Sequence, residues 1–148
     1  MDKIDKNMIL VGQELQEQKD VFEFLGKEAV IKGLASDEVA VTQALWARES
    51  ESTTGMLDGF AIPHAKSDRI IQTGIIIVKN NIPIEWKAMD GQPINFIIAL
   101  FIPKDNQGEE HLKTLATISR LLMKKTVKSA LQHATTAEEI AETFNQYL

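Results

Sequence analysis

The run Ile94-Asn95-Phe96-Ile97-Ile98-Ala99-Leu100-Phe101-Ile102 is apolar except for Asn95 and stops at Pro103. It is far shorter than the ~20 apolar residues of a membrane span. An uninterrupted apolar stretch of this length predicts a central strand covered on both faces. Working upstream, Ile70 to Val78 carries Ile75-Ile76-Ile77-Val78 and predicts a second buried, β-branched strand. Asn80-Asn81 predicts a turn after it, with Ile82 to Trp86 returning as the second arm of a hairpin. Asp90-Gly91 marks a further turn. Earlier still, Phe60 to Ile62 is a short apolar stretch ending at Pro63, and Met8 to Val11 predicts a first strand.

Helical periodicity lies on both sides of this β-rich middle. Val21, Phe22, Leu25, Ala29 and Val30 follow a 3.6-residue period, and Gly33 stops it. Ser36 is a candidate N-cap for a second helix through Val39, Val41, Ala44, Leu45 and Ala47, ending near Arg48. Glu49 to Asp58 reads as a polar loop. Downstream, Leu112, Leu115, Ile118, Leu121 and Leu122 share one helix face. Val127 to Leu131 predicts a short helix, and Thr136 with Glu139 forms a capping box opening the last one. Strands in the middle with helices at both ends predict an α/β sandwich around a mixed sheet. No repeat or Pro/Gly/Ser-rich linker divides the chain, so residues 1–148 are expected to form one domain.

Composition narrows the function. The chain has 148 residues, 44% apolar and 25% charged, within the range of globular proteins. The absence of cysteine removes disulfides, thiolate zinc sites and cysteine nucleophiles. A net charge of −5 argues against sequence-independent nucleic-acid binding, which needs a basic face. With no apolar segment long enough for a span or signal, a cytoplasmic location is expected.

The chemistry points to histidine. His133 sits in a short polar helix and reads as a surface residue. His64 follows Gly59-Phe60-Ala61-Ile62-Pro63 and precedes Ala65-Lys66-Ser67-Asp68. Pro63 fixes its own φ, so a short strand would deliver His64 to a loop in a defined direction, with small Ala65 leaving room beside the ring. Histidine supplies a neutral nucleophilic nitrogen near pH 7, but spacing alone leaves a structural histidine equally open. His111 falls in the first turn of the long helix, where free N–H groups and the dipole favour anions. Arg48, at a helix end, can be a guanidinium fork or a solvated charge. Thr53-Thr54-Gly55 offers hydroxyls and amides to a phosphate but lacks the spacing of a nucleotide-binding loop. The histidine spacing matches no metal motif, and no GxSxG elbow is present.

The ordered series Arg48-Glu49, Thr53-Thr54-Gly55 and Asp58-Gly59-Phe60-Ala61-Ile62-Pro63-His64-Ala65 resembles the signature of the fructose/mannitol class of enzyme IIA domains of bacterial sugar phosphotransferase systems. The similarity extends over essentially the whole chain, and Ala65-Lys66-Ser67-Asp68 is closer to the fructose-like branch. The resemblance implies a metal-independent phosphocarrier. Its Nε2 of His64 would accept a phosphoryl group from the phosphohistidine of HPr and pass it to an enzyme IIB, usually to a cysteine. His111 and Arg48 would line the site, with Thr53 and Thr54 as phosphate donors. No cofactor is implied, and a membrane enzyme IIC would be met only indirectly. Many relatives carry a second glycine between Gly55 and Gly59, where this chain has Met56-Leu57, a departure bearing on partner preference. The family also implies an alternative, a nitrogen-type regulatory protein that acts by phosphorylation-dependent protein binding.

Overall fold

The computed structural model describes residues 3–105 and 109–148, with only the backbone of 109–111. The described elements are a 3-10 turn Lys6–Met8, then β1 (Ile9–Gln13), α1 (Gln18–Ile31), α2 (Glu38–Glu51), β2 (Phe60–Ala61) and β3 (His64–Ser67). They continue with β4 (Gly74–Ile84), β5 (Ile94–Pro103), α3 (Glu109–Leu121), α4 (Lys125–His133) and α5 (Ala137–Asn145). The sheet order is β1-β4-β5-β2, with β3 following β2 along the same side of β5. β4 and β5 are antiparallel and the remaining pairings are parallel, so the sheet is mixed and flanked by five helices, as the sequence pattern predicts.

The uninterrupted apolar character of β5 follows from its central place. Ile97, Ala99 and Phe101 enter one core with Val21, Phe22 and Leu25 of α1 and Val41 and Leu45 of α2. Phe96, Ile98, Leu100 and Ile102 enter a second core with Ile118, Leu131 and Phe144 of the C-terminal helices. Successive side chains of a strand point to opposite faces, so both faces must be apolar. Close packing of α1 on α2 depends on Gly26, where a Cβ would lie 2.6 Å from Glu38 O.

Several local expectations are corrected. Asn80-Asn81 is not a turn: β4 runs through it, with a register shift between Lys79 and Ile84. Asn80 is buried, and its amide takes over strand-like bonding by accepting from Leu15 N at 2.8 Å and donating to Leu15 O and Ile82 O at 2.9 Å each. β4 begins at Gly74 rather than Ile70, which makes only an isolated bridge to Ala35. The N-cap of α2 is Asp37, whose carboxylate accepts from Val39 N and Ala40 N, while Ser36 Oγ donates to Arg69 O. That helix runs past Arg48 to Glu51. Thr136 does cap α5, accepting from Glu139 N at 3.1 Å.

Candidate functional site

The edge of the sheet is broken between β2 and β3. Pro63 has no N–H for the ladder, yet its carbonyl accepts from Leu100 N at 2.9 Å, so the strand keeps its course across the break. It resumes with His64 opposite Leu100 and Ala65 opposite Phe101. His64 is therefore the first residue of a strand, not of a loop, because the chain on either side of it pairs in parallel with β5. Ala65 is buried in the α1–α2 core and Leu100 in the other. Alternation thus turns the half-buried His64 towards the face that α3 covers. His111 lies in the first turn of that helix, as expected, but its side chain lies outside the described residues.

The approach to His64 is lined by the loop after α2. Gly55 bridges Ala61 antiparallel, Ile62 N donates to Thr54 O at 2.9 Å, and Met56 N donates to Phe60 O at 2.8 Å. All three contacts share one register and tie residues 54–56 to residues 60–62, the segment that leads into His64. Ser52 is where Arg48 is held: its Nη1 donates to Ser52 O at 2.9 Å. Arg48 is half-buried at the end of α2, the helix that packs against β3. The fold brings Arg48, Thr53 and Thr54 to one loop alongside the strand that leads into His64.

The threonines face inward. Thr54 is 5% exposed, and its hydroxyl and amide donate to the Glu49 carboxylate at 2.5 and 3.0 Å. Thr53 Oγ1 donates to Glu49 at 3.1 Å, contacts Lys87 O and accepts from Gly55 N at 3.0 Å. Either hydroxyl reaches a phosphoryl group only by exchanging these partners. In the sequence Glu49 stands only as the neighbour of Arg48 at the start of a polar stretch. The available signal was an acidic residue beside Arg48 with hydroxyls four and five positions on, a spacing that lets a helix end bond the chain leaving it.

The turn before β2 is held just as firmly. Asp58 has φ 58° and Gly59 φ 90°, and a Cβ on Gly59 would lie 2.6 Å from Asn95 Oδ1. Asp58 N donates to Asp90 Oδ2 at 2.9 Å, and the buried Lys128 donates to Asp58 Oδ2 at 2.5 Å. The Asp58 N–H, and after it that of Gln92, hold the Asp90 carboxyl below the usual aspartate range. Gly59 O accepts from both Asn95 N and Phe96 N, at 2.9 and 3.0 Å, a bulge-like pairing that ties the turn to β5. His133 is exposed, with Nδ1 2.7 Å from Ser129 O, as its surface reading predicts.

Among the described residues, no group of three His, Cys, Asp or Glu side chains could hold a metal ion, and no helix is long and apolar enough to cross a membrane.

Residues 2–147 match the family described as the phosphoenolpyruvate-dependent sugar phosphotransferase system, EIIA 2. The chain is 33% identical over 125 residues to the fructose-specific EIIA component of Haloferax volcanii, covering 84% of this chain and 80% of that protein. It is 34% identical over 127 residues to a nitrogen regulatory protein of Escherichia coli, covering 84% and 76%. It spans only 22% of the fructose-specific EIIABC component of Bacillus subtilis, at 28% identity over 97% of this chain. Among solved structures, nitrogen regulatory protein IIA-Ntr from Neisseria meningitidis superposes with a TM-score of 0.88 at 26% identity, covering 95% of this chain and 94% of that one. The IIA mannitol structure from Escherichia coli shares the fold, with a TM-score of 0.79 at 21% identity, covering 97% and 99%. With its mixed sheet and a match over residues 2–147, the chain belongs to the EIIA 2 family of the phosphoenolpyruvate-dependent sugar phosphotransferase system, whose members serve in phosphoryl transfer.

Proposed function

We propose that this chain is a phosphocarrier that accepts a phosphoryl group from the phosphohistidine of HPr on Nε2 of His64 and passes it to an enzyme IIB. The observation that carries the reading is the placement of His64: half-buried, opening a strand whose backbone is tied to β5 directly before and after it. A ring presented this way loses little orientational freedom on meeting its donor, which favours an in-line attack.

In the first step the lone pair on neutral Nε2 forms a bond to phosphorus. The P–N bond to the HPr imidazole breaks, and its electron pair returns to that ring. In the second, a thiolate of enzyme IIB forms the new S–P bond and the His64 P–N bond breaks. Both steps exchange one phosphoryl linkage for another, so the donor's own reactivity supplies the driving force and no metal is required. Arg48, by releasing Ser52, and His111, from the first turn of α3, supply donors to the equatorial oxygens. Thr53 and Thr54 shape the loop and reach the phosphoryl group only when Glu49 yields them. A solved complex of mannitol enzyme IIA with phosphorylated enzyme IIB from Escherichia coli, sharing this fold with a TM-score of 0.81, supports an enzyme IIB as acceptor. The fructose-specific EIIA relative supports a sugar-uptake role, and we assign that role to residues 1–148 as one cytoplasmic domain.

A second reading is favoured by the nitrogen regulatory relatives: the same phosphorylation would control binding to other proteins. Incubation with phosphoenolpyruvate, enzyme I and HPr should add one acid-labile phosphoryl group, seen by mass spectrometry. Labelling of His64→Ala at the wild-type level would overturn the assignment of His64. Failure of an added enzyme IIB to discharge the labelled protein, with release of a bound regulatory partner on labelling, would favour the second reading.

A further inference from the structure

We propose that Glu49 is a positioning residue for phosphoryl transfer: its carboxylate holds the loop of residues 52–55 against the segment that leads into His64, so that Arg48 can turn from Ser52 to the phosphoryl group without the loop collapsing. The proposal rests on the reading of His64 and Arg48 given above.

Glu49 gathers donors from separate parts of the chain. Oε1 accepts from Thr54 Oγ1 at 2.5 Å. Oε2 accepts from Thr53 Oγ1 at 3.1 Å, Thr54 N at 3.0 Å and Trp86 Nε1 at 3.2 Å. Trp86 is 7% exposed and packs edge-on against Phe22, with ring centroids 5.6 Å apart, so the anchor reaches into the α1–α2 core. The backbone of the same loop is bridged to Ala61 and to Ala88 through Gly55. A Cβ on Gly55 would lie 2.9 Å from both Ala88 Cα and Lys87 O, so the loop is pressed against its neighbour. Arg48, one residue earlier, binds the same loop from outside through Ser52. One helix end thus holds the loop by two adjacent side chains with different duties. The guanidinium must leave Ser52 to meet a phosphoryl oxygen. The carboxylate, with all its bonds turned inward, keeps the loop in place while it does so. Charge-assisted bonds of this kind are stronger than neutral ones, and small displacements of a positioning group are expensive in rate.

The proposal is tested by the rate of transfer from radiolabelled phospho-HPr, generated with phosphoenolpyruvate and enzyme I. Glu49→Ala should slow turnover about tenfold or more with the KM for phospho-HPr little changed, since misplacement of a transition-state group acts on kcat. Glu49→Gln should remain within about threefold of wild type, because an amide oxygen at the Oε2 position keeps its donors and the amide NH2 can donate to Thr54 Oγ1 in turn. In an Arg48→Ala background, Glu49→Ala should add nothing further, the mark of a residue acting through another. Thr54→Val, which removes the 2.5 Å bond alone, should slow transfer in the same direction, and it keeps the test open if Glu49→Ala folds poorly. Phe144→Leu, a core change in α5, should lower stability and leave turnover at the wild-type value. Glu49→Ala at the wild-type rate, Glu49→Gln as slow as Glu49→Ala, or multiplicative losses in the double variant would each overturn the proposal. If wild type itself takes no label, the reading of His64 fails instead, and the same assay shows which has happened.

Discussion

Asp58 and Gly59 carry the backbone through left-handed conformations that an ordinary side chain avoids. Gly59→Ala meets both the φ of 90° and the contact at 2.6 Å with Asn95 Oδ1, so it should cost about 2 kcal/mol or more, read by urea denaturation. At Asp58 the decisive partner is Lys128, whose side chain is 9% exposed against 62% for the aspartate. Removing the aspartate leaves a buried ammonium without its hydrogen-bonded ion-pair partner. Replacing the lysine by an apolar chain leaves only an exposed carboxylate. Asp58→Asn should therefore lose about 1–3 kcal/mol, and Lys128→Met clearly less, because stranding a buried ion is worse than deleting it. Equal losses in the two variants would contradict that asymmetry.

At the scale of the element, α4 is held at its C-terminus by a residue from the sheet. Lys79 Nζ donates to Leu131 O at 3.2 Å, to Gln132 O at 2.7 Å and to Ala134 O, placing a cation where the helix carbonyls lack partners. Lys79→Met should cost about 1–3 kcal/mol and speed hydrogen exchange in α4 ahead of the rest of the chain. The start of α5 has its own charge dependence. The N–H and hydroxyl of Thr135 and the hydroxyl of Thr136 donate to Glu139 and hold its carboxyl below the usual glutamate range. A depressed carboxyl pKa contributes stability that is fully present above the unfolded value, 4.5 for Glu139, and is lost as pH falls through the lower folded value. Asp90 acts in the same sense from its unfolded value of 3.8. Stability should therefore decline below about pH 4.5, and Glu139→Gln should flatten the upper part of that decline, as followed by thermal melts across the acid range.

The molecule as a whole is a sheet with a core on each face, and adjacent residues of β5 belong to different cores. Ile97 packs with α1 and α2, Ile98 with the C-terminal helices, and both are fully buried. Alanine at either position should cost about 2–5 kcal/mol, measured by chemical denaturation. A loss confined to Ile97 or to Ile98 would mean that one face is open to water. The same layering frames His64, since β2 and β3 form the side of the sheet next to β5, with α2 against one face and the core of the C-terminal helices against the other.

The position of the main elements, which follows from hydrophobic period, was legible in the sequence, though their ends were not: Asp37 and not Ser36 caps α2, and β4 starts at Gly74. The apolar run from Ile94 to Ile102 identified the central strand, and the 3.6-residue pattern found the helices. Thr136 announced a helix start, and the ordered residues from Arg48 to Ala65 singled out His64. The tertiary structure decided what depends on partners far along the chain. Asn80-Asn81 has turn chemistry, but burial beside Leu15 draws it into β4, 65 residues from that partner. Glu49 reads as the first residue of a polar loop, but α2 extends through it and Trp86, 37 residues on, donates to it. Lys128 lies within the short helix that Val127 to Leu131 predicts, and only the fold sets it on Asp58, 70 residues away. A residue's own neighbours set its backbone preference and hydrophobic period. Which donor meets which acceptor is fixed only when the layers close and water is excluded from between them.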